Sequence, residues 1–235
     1  MFALILAGGK GERLRPLTDS LPKPMVPVCG KPILQHQVEW LKTAGITDVV
    51  FLAGYHWEAI RDHFGDGREF GIRATYSVEE SPLGRGGATR KGLASVPADA
   101  GSVVVLNGDT FTTQRLGDLV DRHRYSLTLN PAHLATMMLA PMVSPYGLVD
   151  VTPADDVVGF REKAELPFWV NAGIYVFERK IASELPEVGG HEVDTFPKLA
   201  HERRLAAFKA TAFWKGIDSF KDLREVEDYL SRPSE

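Results

Sequence analysis

The sequence predicts an α/β fold: a three-layer, mostly parallel, Rossmann-like mixed sheet flanked by helices. Short apolar runs recur along the chain with amphipathic helical stretches between them. Several of those runs are apolar on both faces, as strands covered by helices on each side must be. The 235 residues suffice for one domain with a full core, read as residues 1–235 with halves at about 1–110 and 111–235.

The first strand is "FALILA" (2–7), and "DVVFLA" (48–53), "IRATYSV" (72–78), "SVVVL" (102–106) and "HLATMMLA" (133–140) follow. Pro32 opens the helical stretch "ILQHQVEWLKTAG", with Ile33, Leu34, Val38 and Leu41 on one side and Gly45 as its stop. "WEAIRDHFG" is a shorter helix of the same kind. The second half is less regular: "PYGLVDV", "VVGFREK" and "WVNAGIYVFE" read as strands and "SFKDLREVEDYLSR" as a closing helix. No fixed-period repeat or linker interrupts the chain.

Composition narrows the function. At 44% hydrophobic and 25% charged the chain is ordinary globular material, and its net charge of −4 argues against a nucleic-acid or membrane-surface protein. Cys29 is the only cysteine, which excludes an internal disulfide and reads as a packed thiol in a reducing compartment. "MFALILA" lacks the basic stretch of a secretory leader, and no run has the length of a bilayer span, so the expectation is a cytoplasmic protein. The seven histidines show no metal-ligand spacing. Ser20, Ser77 and Ser81 lack a hydrolase elbow. Trp169 and Trp214 read as packing residues.

The first strand runs straight into Gly8-Gly9-Lys10-Gly11, which offers backbone N–H groups with no side chains in the way. Residues 1–25 carry Lys10, Arg13, Arg15 and Lys23 against Glu12 and Asp19, a local charge of +2 in an acidic protein. Pro22 and Pro24 restrict the backbone around Lys23 and lower the cost of fixing it against an anion. A dinucleotide fingerprint is excluded because Leu14 stands where its third glycine belongs. A Walker loop is excluded because no Gly-Lys-Ser/Thr is present here. What remains is a different phosphate-binding device.

The stretch "LAGGKGERLRPLTDSLPKPMVPVCGKPIL" (6–34) resembles the signature of the sugar-1-phosphate nucleotidylyltransferases, or NDP-sugar pyrophosphorylases. The resemblance implies the nucleotide-diphospho-sugar transferase type of fold, with a nucleotide-binding first half and a sugar-phosphate-binding second half. It implies that Leu6, Gly8, Gly9 and Gly11 line the nucleotide, that Arg13 meets departing pyrophosphate and that Lys23 contacts the reacting phosphates. "VEESPLGRGGA" (78–88) looks like the base-recognition loop of that family, with Gly84, Gly86 and Gly87 letting backbone approach a flat base. Glu79 stands where a base-edge reader belongs, and a carboxylate only accepts hydrogen bonds. It suits guanine, uracil or thymine, which present a ring N–H, better than cytosine or adenine. Arg85 departs from the usual threonine.

"VVVLNGD" (103–109) ends an apolar strand on Asp109, which the resemblance makes a Mg²⁺ ligand. "YGLV", "FREK" and "WVNAGIYVF" match later stations of the family. They imply that Gly147 approaches the sugar, Glu162 and Asn171 bond its hydroxyls and Lys163 pairs with its phosphate. The tail "FWKGIDSFKDL" (213–223) is similar to that of cytidylyltransferases and makes Asp218 the second metal ligand, whereas the centre is similar to guanylyltransferases acting on mannose or heptose phosphates and to the uridylyltransferase of muramic acid recycling.

These implications amount to an enzyme that joins an NTP and a sugar 1-phosphate and releases pyrophosphate, with Mg²⁺ as cofactor, guanine weakly favoured by Glu79, no nucleic-acid or membrane partner and room for a homo-oligomer. Cytidylyl, uridylyl or thymidylyl transfer to a hexose 1-phosphate stays open at this point. So do a nucleotide-sugar-dependent glycosyltransferase and a catalytically silent NDP-sugar-binding subunit.

Overall fold

Phe2–Ala7 forms β1 in the computed structural model, which describes residues 1–232. Ala3, Leu4 and Ile5 are fully buried because helices cover both faces of the sheet. Two short helical turns, Glu12–Leu14 and Lys23–Met25, lead to a hairpin of β2 (Pro27–Val28) and β3 (Lys31–Pro32). Cys29 and Gly30 make its two-residue turn with φ of 48° and 79°, the positive pair that closes a tight hairpin. The turn carries Cys29 to the surface, so the packed thiol expected from sequence is instead exposed.

Helix α1 (Ile33–Thr43), β4 (Asp48–Ala53), α2 (Trp57–Phe64) and β5 (Arg73–Val78) continue the alternation. The next segment corrects the sequence reading. The glycines expected to form an open loop belong to helix α3 (Gly84–Leu93). That helix starts because the Gly189 carbonyl accepts from the N–H groups of Gly86 (2.9 Å) and Gly87 (3.4 Å), which would otherwise be orphan donors of its first turn.

Strands β6 (Ser102–Asn107) and β7 (Thr110–Thr112) lead to α4 (Leu116–Leu129). Then come β8 (Ala135–Val143), a hairpin arm of β9 (Leu148–Val151) and β10 (Val157–Arg161), and β11 (Glu165–Glu178). The chain closes through α5 (Thr195–His201), β12 (Leu205–Lys209), β13 (Trp214–Gly216) and α6 (Phe220–Leu230).

Seven strands form one sheet in the order β12-β8-β11-β6-β1-β4-β5. Only β11 runs antiparallel to its neighbours, β6 and β8. Apolar residues of α1, α2 and α4 pack on one face of the sheet, among them Leu34, Ile60 and Leu119. Leu93 of α3 and Phe196 and Leu199 of α5 pack on the other. The result is three layers around a mixed, mostly parallel sheet.

A third cluster matters most for the site. Leu14, Val26 and Val28 of the N-terminal segment pack against Ile217, Leu223 and Val226 at the other end of the chain. Burial of these side chains contributes about 1.5 to 3 kcal/mol each and fixes the loop that carries Lys23 beside the start of α6.

Candidate active site

The strand order reverses between β1 and β6: β4 and β5 lie to one side of β1, and the chain then crosses to place β6 on the other. Open α/β sheets leave a crevice at such a reversal, beyond the carboxyl ends of the strands. Here a cavity of about 280 Å³ opens at that point. Leu6 lines it from β1 and Gly8 and Gly9 from just beyond, Asn107 from the end of β6 and Asp109 from just beyond, Glu79 from beyond β5, and Gly84 and Arg85 from the start of α3. The Gly108 N–H donates to the Leu6 carbonyl at 2.8 Å, and a side-chain carbon at Gly108 would stand 2.6 Å from that oxygen. Only glycine lets the two strand ends close this tightly.

At one end of the cavity the Lys23 ammonium donates to Asp109 Oδ2 at 2.7 Å and to Asp218 Oδ1 at 2.6 Å. Arg13 Nη2 donates to the same Asp218 oxygen at 2.7 Å. The Lys23 side chain is only 11% exposed, against 73% for Arg13. A charge buried to that degree needs partners, and the two carboxylates supply them. Its stem is fixed too: a side-chain carbon at Gly11 would lie 2.6 Å from Lys23 Cβ. Gly11 therefore does not line the cavity; it takes a left-handed φ of 64° and makes room for the lysine.

Asp218 reaches Asp109 through strand pairing. β13 runs antiparallel to β7 with Gly216 opposite Thr110, and the Ile217 N–H donates to the Asp109 carbonyl at 2.8 Å. Asp222 then anchors the turn, its Oδ2 accepting from the Asp218 N–H at 3.1 Å and the Ser219 hydroxyl at 2.7 Å. Burial resists ionisation of Asp222, but hydrogen bonds from Lys215 and Ser219 outweigh that and hold its pKa below the usual value.

Glu79 stands in the same cavity. Its Oε2 accepts from the Leu83 N–H at 3.0 Å, which fixes the turn before α3. Its Oε1 faces Gly8 and Gly54, both of which lack the side chain that would collide with it. Arg85 Nη1 donates to Glu192 Oε1 at 2.9 Å, and the buried His191 Nε2 lies 3.5 Å from that oxygen. Burial opposes ionisation of Glu192, yet His191 and Arg85 outweigh it and bring its pKa down to about 2.

Not every residue singled out from sequence reaches this cavity. Gly86 does not line it; a side-chain carbon there would meet Pro186 Cγ at 2.7 Å, so the glycine serves the packing of α3 on the 186–191 loop. Gly147, Glu162 and Lys163 lie on the arm formed by β9 and β10, with Glu162 and Lys163 exposed. Within the arm a side-chain carbon on Gly147 would stand 2.5 Å from Phe160 Cζ and 3.1 Å from Glu162 Oε1. Asn171 is engaged internally: its Nδ2 donates to the Tyr175 hydroxyl at 2.7 Å and its Oδ1 accepts from the Gly173 N–H at 2.9 Å. Trp214 donates from Nε1 to the Ala172 carbonyl at 2.8 Å and packs against the main core.

Among the described residues no helix is long and apolar enough to cross a membrane. The sequence profile of the family described as nucleotidyl transferase matches residues 2–232. The chain belongs to the nucleotidyl transferase family. It is 37% identical over 231 residues to a D-glycero-alpha-D-manno-heptose 1-phosphate guanylyltransferase of Campylobacter jejuni, covering 97% of each chain. It is 36% identical over 230 residues to a mannose-1-phosphate guanylyltransferase of Mycobacterium tuberculosis, covering 94% of this chain and 62% of that protein. The chain thus spans less than two thirds of the Mycobacterium tuberculosis relative. The solved structure of HddC from Yersinia pseudotuberculosis, complexed with GMP-PN, superposes with a TM-score of 0.74 at 24% identity, over 98% of this chain and 99% of that one. Their fold is shared.

In this nucleotidyl transferase several cavity residues escaped the sequence reading. Asn107 lines the cavity from the end of β6, and its buried Oδ1 has no hydrogen-bond partner among the described residues. A polar residue closing an otherwise apolar strand was the available signal. Leu52 and Ala88 give the cavity apolar wall beside Pro24, and nothing in their local sequence sets these two apart from core residues. The Asp222 anchor was hidden for a different reason: its value lies in what it holds, not in what it faces.

Proposed function

We propose that this chain transfers a nucleotidyl group from a nucleoside triphosphate to a sugar 1-phosphate, with guanosine triphosphate as the nucleotide and a mannose- or heptose-type 1-phosphate as acceptor. An oxygen of the sugar phosphate attacks the α-phosphorus, the new P–O bond forms as the α–β P–O bond breaks, and pyrophosphate leaves with the electron pair. Such transfers ask a protein chiefly for alignment and charge neutralisation. The observation that carries the reading is that Lys23 and Asp109 line one cavity with Glu79, while Asp218 and Arg13, outside the lining, are joined to Lys23 by hydrogen bonds. Two relatives that match nearly the whole of this chain and of their own length are named as heptose 1-phosphate guanylyltransferases.

In this reading Lys23 and Arg13 stabilise charge on the α-phosphate and the departing pyrophosphate. The Gly8-Gly9 backbone lies along the nucleotide. The free Oε1 of Glu79 accepts from a base N–H, as guanine presents at its ring edge. In the same reading the sugar phosphate falls to Lys163, Glu162 and Gly147, on the arm outside the cavity lining, and to Asn171, which would exchange its bonds to Tyr175 and Gly173 for the sugar. Leu6 and Gly84 form the walls of the nucleotide site.

Two carboxylates whose oxygens share one ammonium are hard, closely spaced donors of the kind Mg²⁺ takes together with phosphate oxygens. The residues present therefore fit this cofactor, with Asp109 and Asp218 as its holders. When bound, it supplies neutralisation of phosphate charge. Cytoplasm suits the reading, because that is where nucleoside triphosphates are available.

The test is pyrophosphate release in Mg²⁺ with each of the common nucleoside triphosphates against mannose 1-phosphate and heptose 1-phosphate. Release that requires both substrates and is fastest with GTP is expected. No release with any pair, or hydrolysis of an NDP-sugar instead, overturns the reading.

A further inference from the structure

The same four side chains carry a consequence for how a divalent cation enters. Asp109 and Asp218 bring two negative charges, and Lys23 and Arg13 bring two positive ones, all joined by hydrogen bonds of 2.6 to 2.7 Å. Taken alone the cluster is already neutral. We infer that Lys23, assisted by Arg13, acts as an internal counter-ion that competes with a divalent cation for Asp109 and Asp218, so that the cation binds strongly only when a triphosphate draws Lys23 away. The inference rests on the proposed metal role of the two aspartates.

The geometry makes the competition direct. Lys23 occupies one oxygen of each carboxylate, Oδ2 of Asp109 and Oδ1 of Asp218. A dication on the remaining oxygens would sit beside the ammonium at like-charge contact. In a partly buried site such repulsion is poorly screened by water or salt. Lys23 cannot retreat as a whole, because Gly11 packs against its Cβ and Pro22 and Pro24 hold its backbone. Only the outer part of its side chain can swing, and the space it can swing into is the cavity lined by Gly8 and Gly9.

A triphosphate there offers the ammonium a new anionic partner and at the same time releases both carboxylates. Binding of nucleotide and of cation is thus coupled, and the coupling is reciprocal by thermodynamic necessity. The ion follows the nucleotide into the site instead of waiting in it.

Mn²⁺, whose free form is counted by electron paramagnetic resonance, is a suitable probe for the protein without nucleotide. Lys23→Met removes the charge and keeps the stem, and is expected to bind Mn²⁺ at least tenfold more tightly than the wild-type chain. Arg13→Gln, at a side chain exposed enough to leave folding alone, is expected to tighten binding about threefold and decides the matter if Lys23→Met fails to fold. Adding Asp109→Asn to Lys23→Met should return the affinity to the wild-type level. Equal or weaker Mn²⁺ binding in the single variants, or tightening that survives Asp109→Asn, overturns the inference. Pyrophosphate release by the wild-type chain does not depend on how these titrations come out, so the two ideas fail separately.

Discussion

Gly8 and Glu79 share one space. A side-chain carbon on Gly8 would stand 2.7 Å from Glu79 Oε1, while Oε2 of the same carboxylate is held by the Leu83 N–H. The absent side chain after β1 is thus matched to an acid that follows β5, across the top of β4. The clashing atom ends a side chain and can turn aside at the expense of its Leu83 bond, so Gly8→Ala should cost the fold only about 1 kcal/mol. It should raise the KM for the nucleotide about tenfold, roughly the effect of losing one well-placed contact. Steady-state kinetics together with a urea titration check both halves of that expectation; an unchanged KM would show that Glu79 does not meet the base.

Lys23→Ala should lower kcat about a hundredfold, the usual effect, near 3 kcal/mol, of removing one group that stabilises developing charge. Wild-type turnover in this variant would remove Lys23 from the proposed chemistry. Circular dichroism is the necessary companion, because the substitution removes the ammonium that Asp109 and Asp218 share and leaves Arg13 bonded to Asp218 alone.

Gly84→Ala tests the start of α3. Gly84 has a φ of 73°, and a side-chain carbon there would stand 2.5 Å from the Gly189 carbonyl oxygen. Backbone cannot step aside as a side chain can, so the loss of stability should be about 2 to 4 kcal/mol. Gly9→Ala is the control, since nothing lies within 4 Å of the added carbon, and its unfolding free energy should stay within about 0.5 kcal/mol of wild type.

Glu192 gives a pH dependence with a definite sign. Its carboxyl lies at about 2 in the folded chain, against 4.5 ordinarily. A lowered carboxyl pKa contributes stability that is complete above the ordinary value and is lost as pH falls toward the lowered one. The stability difference between wild type and Glu192→Gln should therefore be constant above about pH 5 and shrink steadily from about pH 4.5 to about pH 3. Urea unfolding at stepped pH measures it. A difference that stays flat through that range would mean that Arg85 and His191 do not hold the acid ionised.

What the sequence made legible follows from distance along the chain. Gly8, Gly9 and Lys23 sit in one contiguous stretch, and Asp109 ends a strand whose pattern is plain, so their neighbourhood could be read locally. The glycines of α3 could not, because the carbonyl and proline that explain Gly86 and Gly87 come from residues 186–189, far along the chain. Cys29 is exposed for a related reason: the packed thiol expected from sequence needs an inner face, and a two-residue hairpin turn has none. The mostly parallel sheet was evident from doubly apolar strands; that β11 alone reverses direction is a matter of connection, and no local pattern carries it.

The pairing of Lys23 with Asp218 spans 195 residues, and it has a meaning for the chain while it is being made. At about 5 to 20 residues per second, translation leaves the lysine without that aspartate for about ten to forty seconds. Throughout that interval Leu14, Val26 and Val28 also lack Ile217, Leu223 and Val226. The nascent polypeptide carries an apolar face and a half-compensated charge next to each other until α6 emerges. A premature stop anywhere before residue 217 exposes both, which hands the product to chaperones and proteases rather than to substrate.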